Sequence, residues 1–421
     1  MTTGRAAGGD LTPGALLGDG RLLVILFVAF RLILLMIYQP LMVEGVERGL
    51  GVGGDTAYYH ALAALTDEGF FPYRDWWYEF PPVAAYLHLT IYALAGGDDH
   101  TNFTTLFGIV MLLFDVGNLL LLRKLGARLY GANTGMALAW IYTLLLAPAV
   151  FLWWNFEPMV AFWLLLALWW LARGRETASA LAAAVGTLTK FTPALLLGAV
   201  WRFRPPRVAL RYTVLVVGSF LAVYVLLFAQ NAAMTLPSLT AQFSKPSYQS
   251  VWALIDGNYT TGNFGDVRSH LDPAQAAVTT GNPAVIPAIV RLVVAGGIGV
   301  FVFLRARRLD DRGLVAFVTI TLLIFFLQAQ GWSPQWLGQI IPLLLLCFPT
   351  RNGVLVIVLL SALVFAEYPV LFMRTGDTGG VISGSQVAPF VVLVLSRTAL
   401  LVGVCVALYG KLRQEPLPRD A

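Results

Sequence analysis

The chain has 421 residues, 58% hydrophobic and only 12% charged, with a formal net charge of +5. That is more apolar sequence than a soluble core can bury, so a bilayer has to be its solvent. Its Lys and Arg residues lie in short loops between apolar runs, which excludes a continuous nucleic-acid-binding face and reads as a topology signal.

The stretch 1–20 is polar and glycine-rich, and the long apolar run after it lacks a small-residue cleavage site, so an uncleaved first helix is expected. A crossing needs about 20 apolar residues. Candidate spans, about twelve of them, fall at 22–43, 102–122, 133–150, 157–172, 177–189, 191–204, 208–229, 284–304, 314–330, 334–349, 353–372 and 386–409. Several are short, and the fifth and sixth, 177–189 and 191–204, are only long enough to meet as a hairpin within the membrane. Arg173 and Arg175 precede that pair and Arg202, Arg204 and Arg207 follow it, which predicts a membrane hairpin over 177–204 with Lys190 and Pro193 at its apex. The run Val83–Ala95 is too short to cross and is expected to lie on the outer surface as an interfacial helix. With both termini cytoplasmic, only Arg48, Arg74, Lys245, Arg268 and Arg374 fall on the outer face, although that face has the longest loops, 44–101 and 230–283. Such an imbalance predicts the orientation, in the plasma membrane. The whole chain, 1–421, reads as one transmembrane domain without a fixed-period repeat.

The first outer loop carries the densest chemistry: Gly53-Gly54-Asp55-Thr56-Ala57-Tyr58-Tyr59-His60, then Pro72-Tyr73-Arg74-Asp75 and Glu79-Phe80-Pro81-Pro82. Asp55 could take a proton from an acceptor hydroxyl, or serve only as the N-cap of a short helix. Asp75 and Glu79 read as carboxylates that fix the turn into the interfacial helix. Charges inside spans are expensive and mark partners or sites. Arg31 and Asp115 fall at similar depth, which predicts a buried ion pair. Lys190 has no evident carboxylate at its depth and faces the outer half, where it would suit a lipid phosphate or snorkel to the interface. Arg291 is a second phosphate candidate, unless Glu367 pairs with it; Arg397 has no assigned partner. Glu157, after Trp153-Trp154-Asn155-Phe156, and Ser333-Pro334-Gln335-Trp336, after Gly331-Trp332, place the polar groups a sugar requires among interfacial aromatics. No D-x-D pair, HExxH, Walker or dinucleotide motif occurs, so no metal and no cofactor are expected.

The order of these features, an outer-loop Asp, P-Y-x-D ahead of E-F-P-P, Thr189-Lys190-Phe191-x-Pro193 and Ser333-Pro334-Gln335-Trp336, resembles the GT-C glycosyltransferases. Among these it is most similar to glycosyltransferase family 87, the polyprenyl-phosphomannose-dependent mannosyltransferases and their arabinofuranosyl relatives, over about residues 20 to 410. Trp336 departs from the tyrosine usual there, and Glu157 from the Asp of many relatives. The resemblance implies an all-α polytopic bundle with interfacial helices in the first outer loop. It implies an inverting, metal-independent transfer in which Asp55 is the base and Lys190, with Arg291, meets the leaving polyprenyl phosphate. Tyr58, Tyr59, Glu157, His270, Ser333, Gln335 and Trp336 are then expected around the substrates: a polyprenyl-phosphate sugar donor, mannose favoured, and a lipid or glycan acceptor. Membrane lipids are expected partners; nucleic acid is not. The rival classes are a lipid-linked sugar flippase or transporter and a polymerase of lipid-linked glycans.

Overall fold

The structure, a computed structural model, describes residues 13–38, 54–97, 99–145, 155–262, 265–278, 281–372 and 380–415. Gly53, Trp153, Trp154, Arg48 and Arg374 lie outside them. Regular structure among these residues is helical, with three isolated bridges, Pro72 to Trp76, Tyr248 to Gly331 and Thr260 to Val381. In chain order the α-helices are α1 Pro13–Gly18, α2 Gly20–Tyr38, α3 Gly54–Ala64, α4 Pro82–Leu94, α5 His100–Tyr130 and α6 Ala132–Leu144. Then follow α7 Glu157–Ala172, α8 Glu176–Thr189, α9 Leu196–Phe203, α10 Pro206–Thr235, α11 Pro237–Ser244 and α12 Val251–Asp256. The last five are α13 Ala288–Arg305, α14 Asp311–Gln328, α15 Leu337–Cys347, α16 Arg351–Phe365 and α17 Val387–Arg413.

A helix stands on each of the predicted apolar stretches, but their lengths differ from the sequence expectation. Among the described residues six stretches are long and apolar enough to cross a membrane: His100–Tyr130, Pro206–Ser244, Ala288–Arg305, Asp311–Gln328, Arg351–Leu371 and Gly384–Arg413. Shorter apolar helices, such as α7 with 16 residues and α15 with 11, accompany them. Both are packed inside the bundle, which explains why they are apolar on every side. The outermost helices show the reverse of soluble patterning. Leu226 on α10 is 72% exposed, Val293 on α13 65% and Val406 on α17 66%, an apolar exterior suited to lipid tails.

Over the expected hairpin, α8 leads through an extended Lys190 and the short turn Thr192–Leu195 into α9. At its tip Gly186 admits close packing, since a Cβ there would stand 2.9 Å from Pro193 Cβ and from Trp163 Cβ. At its open end Arg204 Nη2 donates to the Leu171 carbonyl at 2.6 Å, and its Nε lies 3.9 Å from Glu176. Lys190 follows the last turn of α8 in extended conformation.

Arg31 and Asp115 form the expected pair, Nε to Oδ2 at 2.7 Å, both buried, and Tyr142 Oη donates to the other Asp115 oxygen. The guanidinium carbon also lies 3.5 Å from the centre of the Phe27 ring, one turn back on α2 itself, so charge binds α2 to α5 while the cation–π contact holds Arg31 in place on its own helix. Replacing either partner alone, Arg31→Met or Asp115→Asn, should cost on the order of 3 to 5 kcal/mol, because the survivor is left charged in a dry site. Thermal unfolding of the single and double variants checks this: the double variant should be more stable than either single one.

Candidate active site

Asp55 stands in the first turn of α3, with Tyr58 and Tyr59 one turn on. Its Oδ2 accepts from Tyr59 Oη and from Gln335 Nε2, both at 3.2 Å. These hydrogen bonds hold the carboxylate at a cavity between α3 and the turn Pro334–Trp336. Desolvation pushes its pKa up to about 7, and Glu79 nearby adds to the rise; the Tyr59 hydrogen bond, Lys190 and Lys245 pull it back.

Glu79 overturns the reading of it as a turn carboxylate. It is buried at 2% exposure, and its Oε2 pairs with Lys245 Nζ, so the first long loop is tied to the second. Its other oxygen, Oε1, has no hydrogen-bond partner among the described residues. Asp75 does hold the turn, accepting from Phe71 N at 2.8 Å and Arg74 Nε at 2.7 Å.

Lys190 requires a correction as well, because it does have a carboxylate at its depth. Its Nζ pairs with Glu157, whose other oxygen accepts from Gln339 Nε2; Thr192 Oγ1 in turn donates to Gln339 Oε1 at 3.0 Å. Glu157 opens α7 and Lys190 follows α8; the two helices run antiparallel, so those ends meet. Residues 33 positions apart give no sign of this in the sequence.

Glu367 does not pair with Arg291. It pairs with Arg397, which supplies the partner that Arg397 lacked, and Arg397 also donates to the Gln249 carbonyl. Arg291 instead donates one bond, from Nη2 to Gln330 Oε1 at 3.2 Å, and lies 5.4 Å over the Trp252 ring. Its Nε and Nη1 are buried without an acceptor among the described residues.

His270 is buried, and it lines neither of the cavities described below. Its Nδ1 lies 2.8 Å from the Trp77 carbonyl and so donates to it, which leaves Nε2 to accept from Tyr58 Oη at 3.2 Å. The ring stacks on Trp77 at 4.0 Å. The expectation of direct substrate contact gives way to a clamp between the two long loops. Ser333 Oγ lies 3.2 Å from Tyr248 Oη, and Trp336 stacks on Phe326 at 4.1 Å.

Two cavities meet at these residues. The first, about 440 Å³, runs from Asp55, Tyr59 and Glu79 past Glu157, Lys190 and Arg291 to Leu239, Phe243, Leu292 and Phe325. Phe243, at 60% exposure, stands at its apolar end. The second, about 720 Å³, is lined by Tyr58, Gln249, Thr260, Thr261, Trp332 and Tyr368 among others. Asp55, Asn155, Lys245, Tyr248, Ser333 and Gln335 border both. Tyr248 can stand there because residue 331 is glycine: a Cβ at Gly331 would lie 2.1 Å from its ring.

No family model matches the sequence, and no curated protein matches it. Among solved structures, ArnT from Cupriavidus metallidurans bound to undecaprenyl phosphate aligns at 15% identity over 94% of this chain and 78% of that one, with a TM-score of 0.48. The same protein in the apo state aligns at 15% identity over 93% and 74%, with a TM-score of 0.47. The apo oligosaccharyltransferase of Archaeoglobus fulgidus aligns at 12% identity over 96% of this chain but 57% of that one, with a TM-score of 0.44.

The Lys190–Glu157 pair makes a prediction of its own. Lys190→Met should lower stability by on the order of 3 kcal/mol by stranding Glu157, and Lys190→Met with Glu157→Gln should recover most of it. Thermal unfolding of the two variants decides the matter; equal loss in both would deny the pair a structural role.

Proposed function

We propose that this chain is a membrane glycosyltransferase that moves a sugar, mannose first among the candidates, from a polyprenyl-phosphate carrier to an acceptor hydroxyl. The observation that carries the reading is the position of Asp55 where an amphipathic cavity meets a polar one. The first cavity combines buried cations with an apolar end open toward the lipid-facing surface, which suits a phosphate with a hydrocarbon tail. The second suits a hydroxyl-bearing acceptor.

In the mechanism, the ionised Asp55 takes the proton of the acceptor hydroxyl as that oxygen attacks the anomeric carbon from the face opposite the phosphate. The new glycosidic bond forms as the bond to phosphate breaks, and polyprenyl phosphate leaves as an anion, so no strong general acid is needed. Arg291 is the better phosphate ligand, because two of its N–H groups have no acceptor among the described residues. Lys190 adds positive charge that it shares with Glu157. Tyr59 and Gln335 orient the Asp55 carboxylate, His270 fixes Tyr58, and Ser333 and Trp336 wall the donor side. The Lys and Arg imbalance supports about twelve crossings and membrane segments, cytoplasmic termini and a site on the outer face of the plasma membrane.

A base must be ionised to act, so the rate should fall as pH drops through about 7, the value to which burial raises the Asp55 carboxyl. Asp55→Asn should slow turnover by about 10²- to 10⁴-fold while donor affinity stays nearly unchanged. The assay is release of free polyprenyl phosphate from labelled polyprenyl-phosphate mannose by purified protein, with donor binding measured in parallel. A fully active Asp55→Asn variant ends the base assignment, and movement of intact carrier without release would make the protein a transporter.

A further inference from the structure

The groups left unsatisfied in each cavity describe what it is built to hold. In the first they are charged: Arg291 Nε and Nη1 and the carboxylate oxygen Glu79 Oε1 are buried and unpaired among the described residues. In the second the corresponding group is neutral. Trp332 lines that cavity and not the first, is 3% exposed, and its indole N–H has no acceptor among the described residues. A buried donor left unpaired costs about 1 to 3 kcal/mol, which a ligand oxygen would recover.

The rest of the wall agrees. Among the described residues lining the second cavity, the charged ones are Asp55 and Lys245, both on the border with the first. Lys245 is already engaged by Glu79. Elsewhere the lining is amide, hydroxyl and aromatic: Gln249, Asn258, Thr260, Thr261 and Tyr368. Trp332 is also held in place. The Arg397 guanidinium lies 4.4 Å from its ring centre, and its backbone N–H donates to the Tyr248 carbonyl at 3.0 Å. An anionic headgroup would find no spare cation in such a wall, whereas a sugar ring offers hydroxyl oxygens to the indole N–H and apolar C–H faces to the aromatics.

From this we infer that the second cavity binds a neutral saccharide as the acceptor, and that the Trp332 indole N–H is a specificity-determining ligand to one of its hydroxyl oxygens. The assignment deepens the transferase reading and rests on it. Asp55 then meets the hydroxyl that reacts, and Trp332 a second hydroxyl that sets the ring's position.

The test uses the full-length protein in lipid nanodiscs, free of glycoside detergents that would compete. Equilibrium dialysis measures binding of tritiated neutral disaccharides, mannobiose, maltose and cellobiose, and of mannose 6-phosphate. At least one neutral disaccharide should bind, and more tightly than the phosphorylated sugar. Trp332→Phe keeps an aromatic ring and removes the N–H; it should weaken saccharide binding by about 5- to 30-fold, the effect of one buried hydrogen bond. Arg291→Ala should leave saccharide binding intact and weaken binding of undecaprenyl phosphate. Failure of all three disaccharides to bind, a preference for the phosphorylated sugar, or unchanged affinity in Trp332→Phe would overturn the assignment. The wild-type preference for neutral over phosphorylated sugar reads the same property should Trp332→Phe fold poorly. Donor consumption onto water without saccharide binding would sink this inference and spare the transferase; saccharide binding with an active Asp55→Asn variant would do the opposite.

Discussion

The cost of placing charge in a low-dielectric interior governs how this bundle is put together. An ion stripped of water must find its counter-ion or give up its charge. Four acid–base pairs meet that demand: Arg31 with Asp115, Lys190 with Glu157, Lys245 with Glu79 and Arg397 with Glu367. Each joins segments distant in the chain. The first binds α2 to α5, the second the starts and ends of α7 and α8, the third the two long loops, and the fourth α17 to the turns after α16. These pairs fix which helices meet, a specificity that apolar packing among Leu, Val and Ala supplies less sharply. Arg291 departs from the pattern, buried with two N–H groups unmatched, and it does so in a cavity.

The site is assembled from loops that these pairs immobilise. Arg397 donates to the Gln249 carbonyl and Gln249 Nε2 donates to Glu367 at 3.3 Å, so a pair within the bundle holds a residue of the second cavity. Gln249 sits at φ +47, a conformation that few residues other than glycine adopt and that surrounding bonds must hold. Next to it, Tyr248 reaches between the cavities through the space that Gly331 leaves. The wall between donor and acceptor sides therefore depends on a charge pair, a left-handed residue and one missing Cβ.

Raising the Asp55 pKa has a thermodynamic consequence. Between its ordinary value of 3.8 and about 7, the folded protein holds a proton that the unfolded chain has released. Stability therefore falls as pH rises across that window, since the folded state binds more protons there. The ionised form, the one a base requires, is the less comfortable one for the fold. A functional carboxylate kept partly dehydrated carries this cost by its nature.

Much of the molecule is legible in its residues alone. Apolar run lengths locate a helix on every predicted stretch, because 3.6-residue periodicity and the need to satisfy backbone hydrogen bonds in lipid leave little else. The buried pair of Arg31 and Asp115 follows from matching depth at 1.5 Å per residue. Asp55 is conspicuous as a carboxylate after two glycines, and Ser333 and Gln335 as polar residues between tryptophans. What the linear order could not supply is lateral: depth is a function of position along one helix, whereas a partner depends on which helix ends lie side by side. Glu157 with Lys190, Glu79 with Lys245 and Glu367 with Arg397 are all matters of neighbourhood, as is the clamp that engages both His270 nitrogens. The lengths of the short helices also belong to this category. An apolar segment carries the same signal whether lipid or other helices surround it, and only packing in three dimensions decides between them.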